Sequence, residues 1–243
     1  MINKANWPET KQKFINWWNR KNEGRPLMIV MAKKEDPVPL PEEFKWTTPE
    51  EKWTNAEKIV GRFRNWCQNT EFLGESFPNL SADFGPGSIA AYLGCEITWQ
   101  ERTVWFNEFV DDWADIPPFE FDPENKYFKK HIEVVKKCTE LARGDFLTTI
   151  PDLMENVDVL VSMRGAQNMI FDMIDDPDTV RERIRQVSDV FFMYYDSFYD
   201  IVKMPDNSSA YTVFSIWGPG KTAKLQCDFS ALMSPQQFRE FIQ

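Results

Sequence analysis

The sequence contains a single histidine, His131, among 243 residues. A Ser-His-Asp triad or a multi-histidine metal site is therefore hard to assemble from this chain. Cysteine is also sparse, and the four residues form no C-x-x-C motif, which favours reduced thiols in a cytoplasmic protein. They are Cys67, Cys95, Cys138 and Cys227.

Positive charge and long apolar runs are scarce as well. The chain has 28 Lys and Arg residues against 38 Asp and Glu residues, which gives a net charge of -10 at pH 7. This balance argues against a general affinity for nucleic acid or for anionic membrane surfaces. No apolar run approaches the ~20 residues of a membrane span, and the N-terminus lacks the apolar segment of a signal peptide. We therefore expect neither nucleic acid nor membrane among the partners.

Aromatic side chains are abundant, with 20 Phe, 10 Trp and 6 Tyr, and 42% of the residues are apolar. The length suits one large domain or two small ones. The continuous apolar run from Arg25 to Ala32 is typical of a strand buried on both faces. The other predicted strands are Asp145–Ile150, Ala210–Trp217, Lys224–Cys227 and a pair of short strands between Glu96 and Val110.

Helical periodicity and capping signals separate these strands. The predicted helices are Pro8–Lys21, Pro49–Cys67, Ser88–Leu93, Asp122–Arg143, Val157–Met173 with an interruption at Gly165, a long helix from Asp176, and a last helix that Ser234 caps and that continues to Gln243. Alternating helices and strands predict an α/β fold with a mainly parallel sheet. We expect one domain over residues 1–243: a TIM (β/α)8 barrel whose C-terminal units are missing, because only four or five of these segments suit barrel strands where a barrel needs eight. A complete open α/β sheet is the alternative.

Three segments together resemble the uroporphyrinogen decarboxylase superfamily, which includes heme-pathway decarboxylases and corrinoid-linked methyltransferases. The first is L-Q-C-D-F at 225–229, followed by A-L-M-S-P-Q-Q-F at 231–238. The second is S-A-D-F at 81–84, followed by Leu93-Gly94. The third is I-P-D at 150–152, followed by Arg164-Gly165 and Asp176-Pro177. The resemblance implies a small-molecule substrate and a corrinoid protein as partner.

Two departures from the superfamily pattern narrow the expectation. The arginine-rich motif that follows the first strand of the decarboxylases is replaced by M-A-K-K-E at 31–35. Lysines do not reproduce the bidentate geometry of arginine, so a porphyrinogen substrate is disfavoured. The H-x-C zinc motif of the methyltransferases would lie beyond Gln243. No cofactor or metal site is therefore identifiable in the sequence, and zinc would require residues beyond that position.

Asp83 and Asp228 are the candidate catalytic residues, because the resemblance and their predicted positions place both carboxylates at the barrel mouth. Each also suits a structural role, as a turn or cap residue. Asp152, Trp217 and Cys227 are candidates for substrate binding. Capping a turn is the simpler role of Asp152, and a structural thiol is the simpler role of Cys227. Core packing suits Trp217 as well as a place in a pocket does.

The resulting functional hypotheses fall into three classes. The first is a corrinoid-linked methyltransferase, or a relative of one, that acts on a small molecule. The second is a decarboxylase of a carboxylated substrate. The third is a non-catalytic protein that binds a small ligand on the same scaffold, because fold does not fix function. His131, within a lysine-rich helix, is expected on a solvated face.

Overall fold

A computed structural model describes Met1 and residues 3–242 of the chain. The prediction that the last helix meets the end of the chain concerns Gln243, which lies outside the described residues. The α-helices are α1 (Trp7–Trp18), α2 (Pro49–Thr54), α3 (Ala56–Gln68), α4 (Ile89–Tyr92), α5 (Lys126–Ala142), α6 (Asn156–Arg164), α7 (Ala166–Asp175), α8 (Pro177–Val202) and α9 (Pro235–Phe241). Short 3-10 helices span Glu42–Phe44, Trp113–Asp115 and Asp228–Leu232.

The strands of the described residues pair two by two. They are β1 (Ile29–Lys33) with β2 (Thr70–Gly74), β3 (Asn79–Leu80) with β6 (Leu147–Thr148), β4 (Glu96–Trp99) with β5 (Val104–Asn107), and β7 (Ser209–Tyr211) with β8 (Ile216–Gly218). The β3–β6 pair is parallel, and the other three pairs are antiparallel. These ladders do not close into a barrel within the described part of the chain, so the TIM-barrel fold stays a prediction.

Capping chemistry sets the helix boundaries largely as the sequence predicts. The hydroxyl of Ser234 accepts the backbone N–H of Gln237, and the Gln237 side chain accepts the Ser234 N–H in return, which completes a capping box for α9. The predicted helix over Pro49–Cys67 is broken at Asn55. Asn55 adopts an extended conformation, and its side chain caps α3 through the N–H of Lys58.

The first strand departs from its prediction. All five residues of β1 are exposed, so the expectation of a strand buried on both faces is wrong. An apolar run raises strand propensity, but burial on both faces requires layers that cover the sheet. In the described residues β1 pairs only with β2.

Two further strand predictions are wrong. The segment predicted as one strand, Ala210–Trp217, is the β7–β8 hairpin. A turn closed by the bond from the Ser215 N–H to the Thr212 carbonyl reverses the chain there. The segment Lys224–Cys227 forms no strand ladder, because side chains from the start of α6 take up its backbone groups.

The chain divides into two compact units. Unit one comprises Met1–Ala82, Ile132–Pro151 and Phe198–Ala223. Its aromatic core joins α1 to the β7–β8 hairpin: Phe14 meets Phe77 edge-on at 5.8 Å, and the Trp18 indole donates a 2.8 Å hydrogen bond to the Trp217 carbonyl. Burial of several large aromatic rings is the main source of stability in such a core.

Unit two comprises Asp83–His131, Asp152–Ser197 and Lys224–Gln243. Its interior includes His131, which is fully buried, so the expectation of a solvated histidine is wrong. The ring of His131 stacks on Phe84 at 4.0 Å, and its Nδ1 lies 2.6 Å from the Tyr92 hydroxyl. The flanking lysines indicate a solvated helix, but position 131 faces the interior. No helix in the described part of the chain combines the length and the apolar character that crossing a membrane requires.

Candidate functional site

A group of carboxylates in unit two surrounds one lysine. The Nζ atom of Lys224 lies 2.7 and 2.8 Å from the two carboxylate oxygens of Asp152. Both side chains are largely shielded, with 6% of Lys224 and 12% of Asp152 exposed. The backbone N–H of Asp152 donates to Oδ1 of Asp83 at 2.6 Å. The structure therefore brings two predicted site residues, Asp83 and Asp152, into one network with Lys224.

Glu155 lies in the turn that follows Asp152 and is 8% exposed. Its neighbours Met154 and Asn156 have φ angles of 53° and 57°, so left-handed backbone flanks Glu155 on both sides. Non-glycine residues adopt this conformation at a cost, and such strain clusters at functional sites. Burial raises the pKa of Glu155 to about 7, although the Gln226 N–H and the charge of Lys224 act in the opposite direction.

The start of α6 holds the segment that carries Lys224. Oε1 of Glu155 accepts the N–H of Gln226 at 2.7 Å, and the Asn156 amide donates to the Gln226 carbonyl at 2.7 Å. The carboxylate of Asp158 accepts two N–H groups, from Asp228 at 2.8 Å and from Phe229 at 2.9 Å. These bonds substitute for a strand ladder and fix the backbone that follows Lys224.

Asp158 itself is buried, at 4% exposure. Burial raises its pKa, and the two backbone N–H groups that it accepts partly offset this shift. Asp158 is therefore a positioning residue, because both of its carboxylate oxygens accept backbone N–H groups, from Asp228 and Phe229.

The two remaining predicted residues of this segment have different surroundings. Asp228 is exposed at the start of the 3-10 helix, and its Oδ2 accepts from the Gln226 side chain at 3.1 Å. The prediction that Asp228 directly follows a strand is wrong, because the Lys224–Cys227 segment forms no strand ladder. Burial raises the pKa of the Cys227 thiol to about 11, and the Asp158 carboxylate adds to the shift. Cys227 consequently remains a neutral thiol at neutral pH and is a poor nucleophile or metal ligand there.

Trp217 belongs to unit one, where it is 1% exposed and packs with Phe14 in the aromatic core. Its indole N–H donates to the Ser208 hydroxyl at 3.1 Å. Both its ring and its N–H are thus engaged in the interior of that unit. This arrangement supports the core-packing interpretation of Trp217 over that of a pocket-lining residue.

Sequence patterns alone do not identify Glu155, Asp158 or Lys224 as site residues. The available signal is the spacing of acidic residues in P-D-L-M-E-N-V-D at 151–158, where three carboxylates follow a predicted strand within seven positions. Helical periodicity hides this signal, because the same letters also suit the start of a helix. Lys224 lies about seventy positions away, and only the fold reveals its partner.

The chemistry available to this network is proton transfer. A glutamic acid with a pKa near 7 exists in both protonation states at neutral pH, as a general acid or base requires. The network also includes the carboxyl groups of Asp83 and Asp152. The ammonium group of Lys224 binds the carboxylate of Asp152. Within Met1 and residues 3–242, no three or more His, Cys, Asp or Glu side chains are arranged to hold a metal ion.

Comparison of the chain with protein-family models, with curated proteins and with solved structures found no match in any of the three.

Proposed function

We propose that this chain is a small-molecule methyltransferase in which Glu155 is the general acid. The observation that carries the proposal is the buried Glu155 carboxyl, whose pKa is raised to about 7 beside the Asp152–Lys224 ion pair. When a methyl group leaves an oxygen or nitrogen atom of its donor, that atom keeps the bonding electron pair. Proton donation by Glu155 to the leaving atom completes the step.

The surrounding charges favour a neutral or cationic methyl donor. Both oxygens of Asp152 already engage Lys224, which is the cation of the network, so that the pair carries no net charge. An anionic substrate would then approach the exposed carboxylate of Asp228, which repels it. This balance supports methyl transfer over decarboxylation of a carboxylated substrate.

The motif resemblance adds the methyl acceptor to the proposal. In a corrinoid-linked methyltransferase the acceptor is a reduced corrinoid held by a partner protein. The described residues do not supply a ligand set for zinc, so no step here is assigned to a metal. A single barrel domain and a cytoplasmic location remain part of the same proposal.

The roles within the network follow from their contacts. Lys224 neutralises Asp152, and Asp83 fixes the backbone of Asp152 through its N–H. Asp158 positions the backbone of Asp228 and Phe229 through their two N–H groups. Glu155 combines a pKa of about 7 with a place in this turn, which is why it receives the proton-donating role.

The proposal is tested by incubating the protein with reduced free corrinoid and a panel of methyl ethers and methylamines. Mass spectrometry measures the demethylated product. We expect at least one donor to be demethylated, and Glu155→Gln to slow that reaction by about 100-fold or more, because an amide cannot transfer the proton. Glu120→Gln is the matched control, since Glu120 is an exposed glutamate of the same unit.

Two outcomes would replace the proposal. Release of CO2 from a parallel panel of carboxylated compounds, with the same sensitivity to Glu155→Gln, would establish a decarboxylase. Saturable binding of a panel compound without turnover of any would establish a ligand-binding protein.

A further inference from the structure

A groove of about 510 Å³ lies in unit one and is lined by α1 and the loop that follows it. Three cationic side chains line this groove: Lys13, Lys21 and Arg25. The carboxylates in the lining are those of Glu23 and Glu75. A local excess of positive charge thus occurs in a chain whose net charge is -10.

The buried carboxylate of Glu75 holds two of these cations, Arg25 and Lys13, in place. Its side chain is 1% exposed, and it accepts the guanidinium of Arg25 through two bonds of 2.7 Å. Its carboxylate also accepts the Lys13 ammonium at 2.9 Å and the Met28 N–H at 2.9 Å. Because of these donors, chiefly Arg25, the pKa of Glu75 is lowered to about 2. The carboxylate is therefore fully ionised at neutral pH and its acceptor capacity is used.

The cations keep donors that Glu75 does not use. Lys13 and Arg25 are half exposed, at 50% and 48%. An ammonium group has three donors, and only one Lys13 donor is needed for the bond to Glu75. Lys21 lines the same groove from an exposed position and adds a further positive charge. One buried anion thus holds two cations in place while their outer faces stay accessible.

We propose that this groove binds the phosphate group of a small phosphorylated molecule. A phosphate dianion has several acceptor oxygens, so that it can contact Lys13 and Lys21 together, whereas a single carboxylate offers fewer contacts. Lysine is a regular phosphate ligand, as a mobile point charge. The groove volume falls within the range of about 300–1,000 Å³ that is typical of small-molecule sites, which leaves room for an organic group beyond the phosphate. This site is independent of the carboxylate network of unit two.

Titration calorimetry with inorganic phosphate tests the proposal, with chloride at the same ionic strength as the reference. We expect saturable phosphate binding at one site per chain. Lys21→Gln should weaken it by about fivefold, the factor that corresponds to the loss of one exposed charge contact. A variant that combines Lys13→Gln with Lys21→Gln should bind phosphate more weakly still.

Lys33→Gln is the matched control, because Lys33 is an exposed lysine of the same unit outside the groove. Binding equal to that of the unmodified protein is expected for this variant. No saturable heat with phosphate, or an equal loss of affinity in Lys33→Gln and Lys21→Gln, would overturn the proposal. Since Lys21 is exposed, its replacement leaves the folded core unchanged, and a thermal melt of each variant verifies this.

Discussion

Replacement of Glu155 by glutamine should stabilise the protein in a pH-dependent manner. The folded-state pKa of Glu155 is about 7, and its ordinary value is 4.5. Between these two pH values the folded state holds a proton that the unfolded state has released. Stability is therefore highest at the low end of this window, falls as the pH rises through it, and levels off above about pH 7.

The size of the effect follows from the shift. The folded-state pKa of Glu155 lies about 2.5 pH units above the ordinary value. At 1.36 kcal/mol per pH unit, the free energy of unfolding therefore changes by about 3 kcal/mol across the whole window. Of this change, about 2–3 kcal/mol is expected between pH 5 and pH 8. Glutamine is uncharged throughout, and its carbonyl oxygen can still accept the Gln226 N–H. Glu155→Gln should therefore gain about 2–3 kcal/mol over the unmodified protein as the pH rises from 5 to 8.

Urea denaturation at pH 5, 6, 7 and 8, followed by tryptophan fluorescence, measures this difference. The Glu120→Gln variant should differ from the unmodified protein by the same small amount at each pH, because Glu120 is exposed. A Glu155→Gln curve that runs parallel to that of the unmodified protein over the whole range would refute a pKa raised by burial. It would also remove the basis for Glu155 as a general acid.

Two more predictions concern the packing around other residues. Gly85→Ala should lower the free energy of unfolding by about 2–4 kcal/mol, because φ is +86° and the new Cβ would lie 1.9 Å from Cγ2 of Val104. Gly144→Ala, with φ of +82° and open space around it, should cost only about 1 kcal/mol, and equal thermal shifts would contradict the steric argument. Glu75→Gln should lower the free energy of unfolding at pH 7 by about 1–2 kcal/mol, since it removes the buried counter-charge of Arg25 and Lys13, whose half-exposed groups water then solvates. Because the pKa of Glu75 is lowered to about 2, this contribution should be present above about pH 4.5 and lost as the pH falls toward 2, which acid titration of the two proteins checks.

Local signals predict the helices well because their causes are local. The capping box of Ser234 and Gln237 involves groups three residues apart, and the break at Gly165 between α6 and α7 is visible in the sequence. Strand predictions are less accurate for the opposite reason. Whether the 29–33 segment is covered, or whether the 224–227 segment finds a ladder partner, depends on residues far away in the chain.

The candidate site shows the same difference between local signals and contacts made by residues far apart in the chain. The sequence points to Asp83 through the family resemblance and to Asp152 through its position after a predicted strand. The structure joins the Asp83 carboxylate to the backbone of Asp152 by a 2.6 Å hydrogen bond. The sequence does not reveal that Lys224 pairs with Asp152 or that Asp158 holds the backbone of residues 228–229, because these contacts span about seventy residues. The prediction for His131 is wrong because neighbouring residues mislead. The lysines around it in the sequence suggest a solvent-exposed side of α5, but His131 itself is buried.

The sequence by itself therefore determined the acidic balance, most of the helix boundaries and the capping box of α9. These features depend on composition and on neighbours within one or two helical turns. Only the tertiary structure decided that Glu155 is buried while Asp228 is exposed. Burial sets the pKa of Glu155, because removing a charge from water raises the pKa of a carboxyl by an amount that no local pattern encodes.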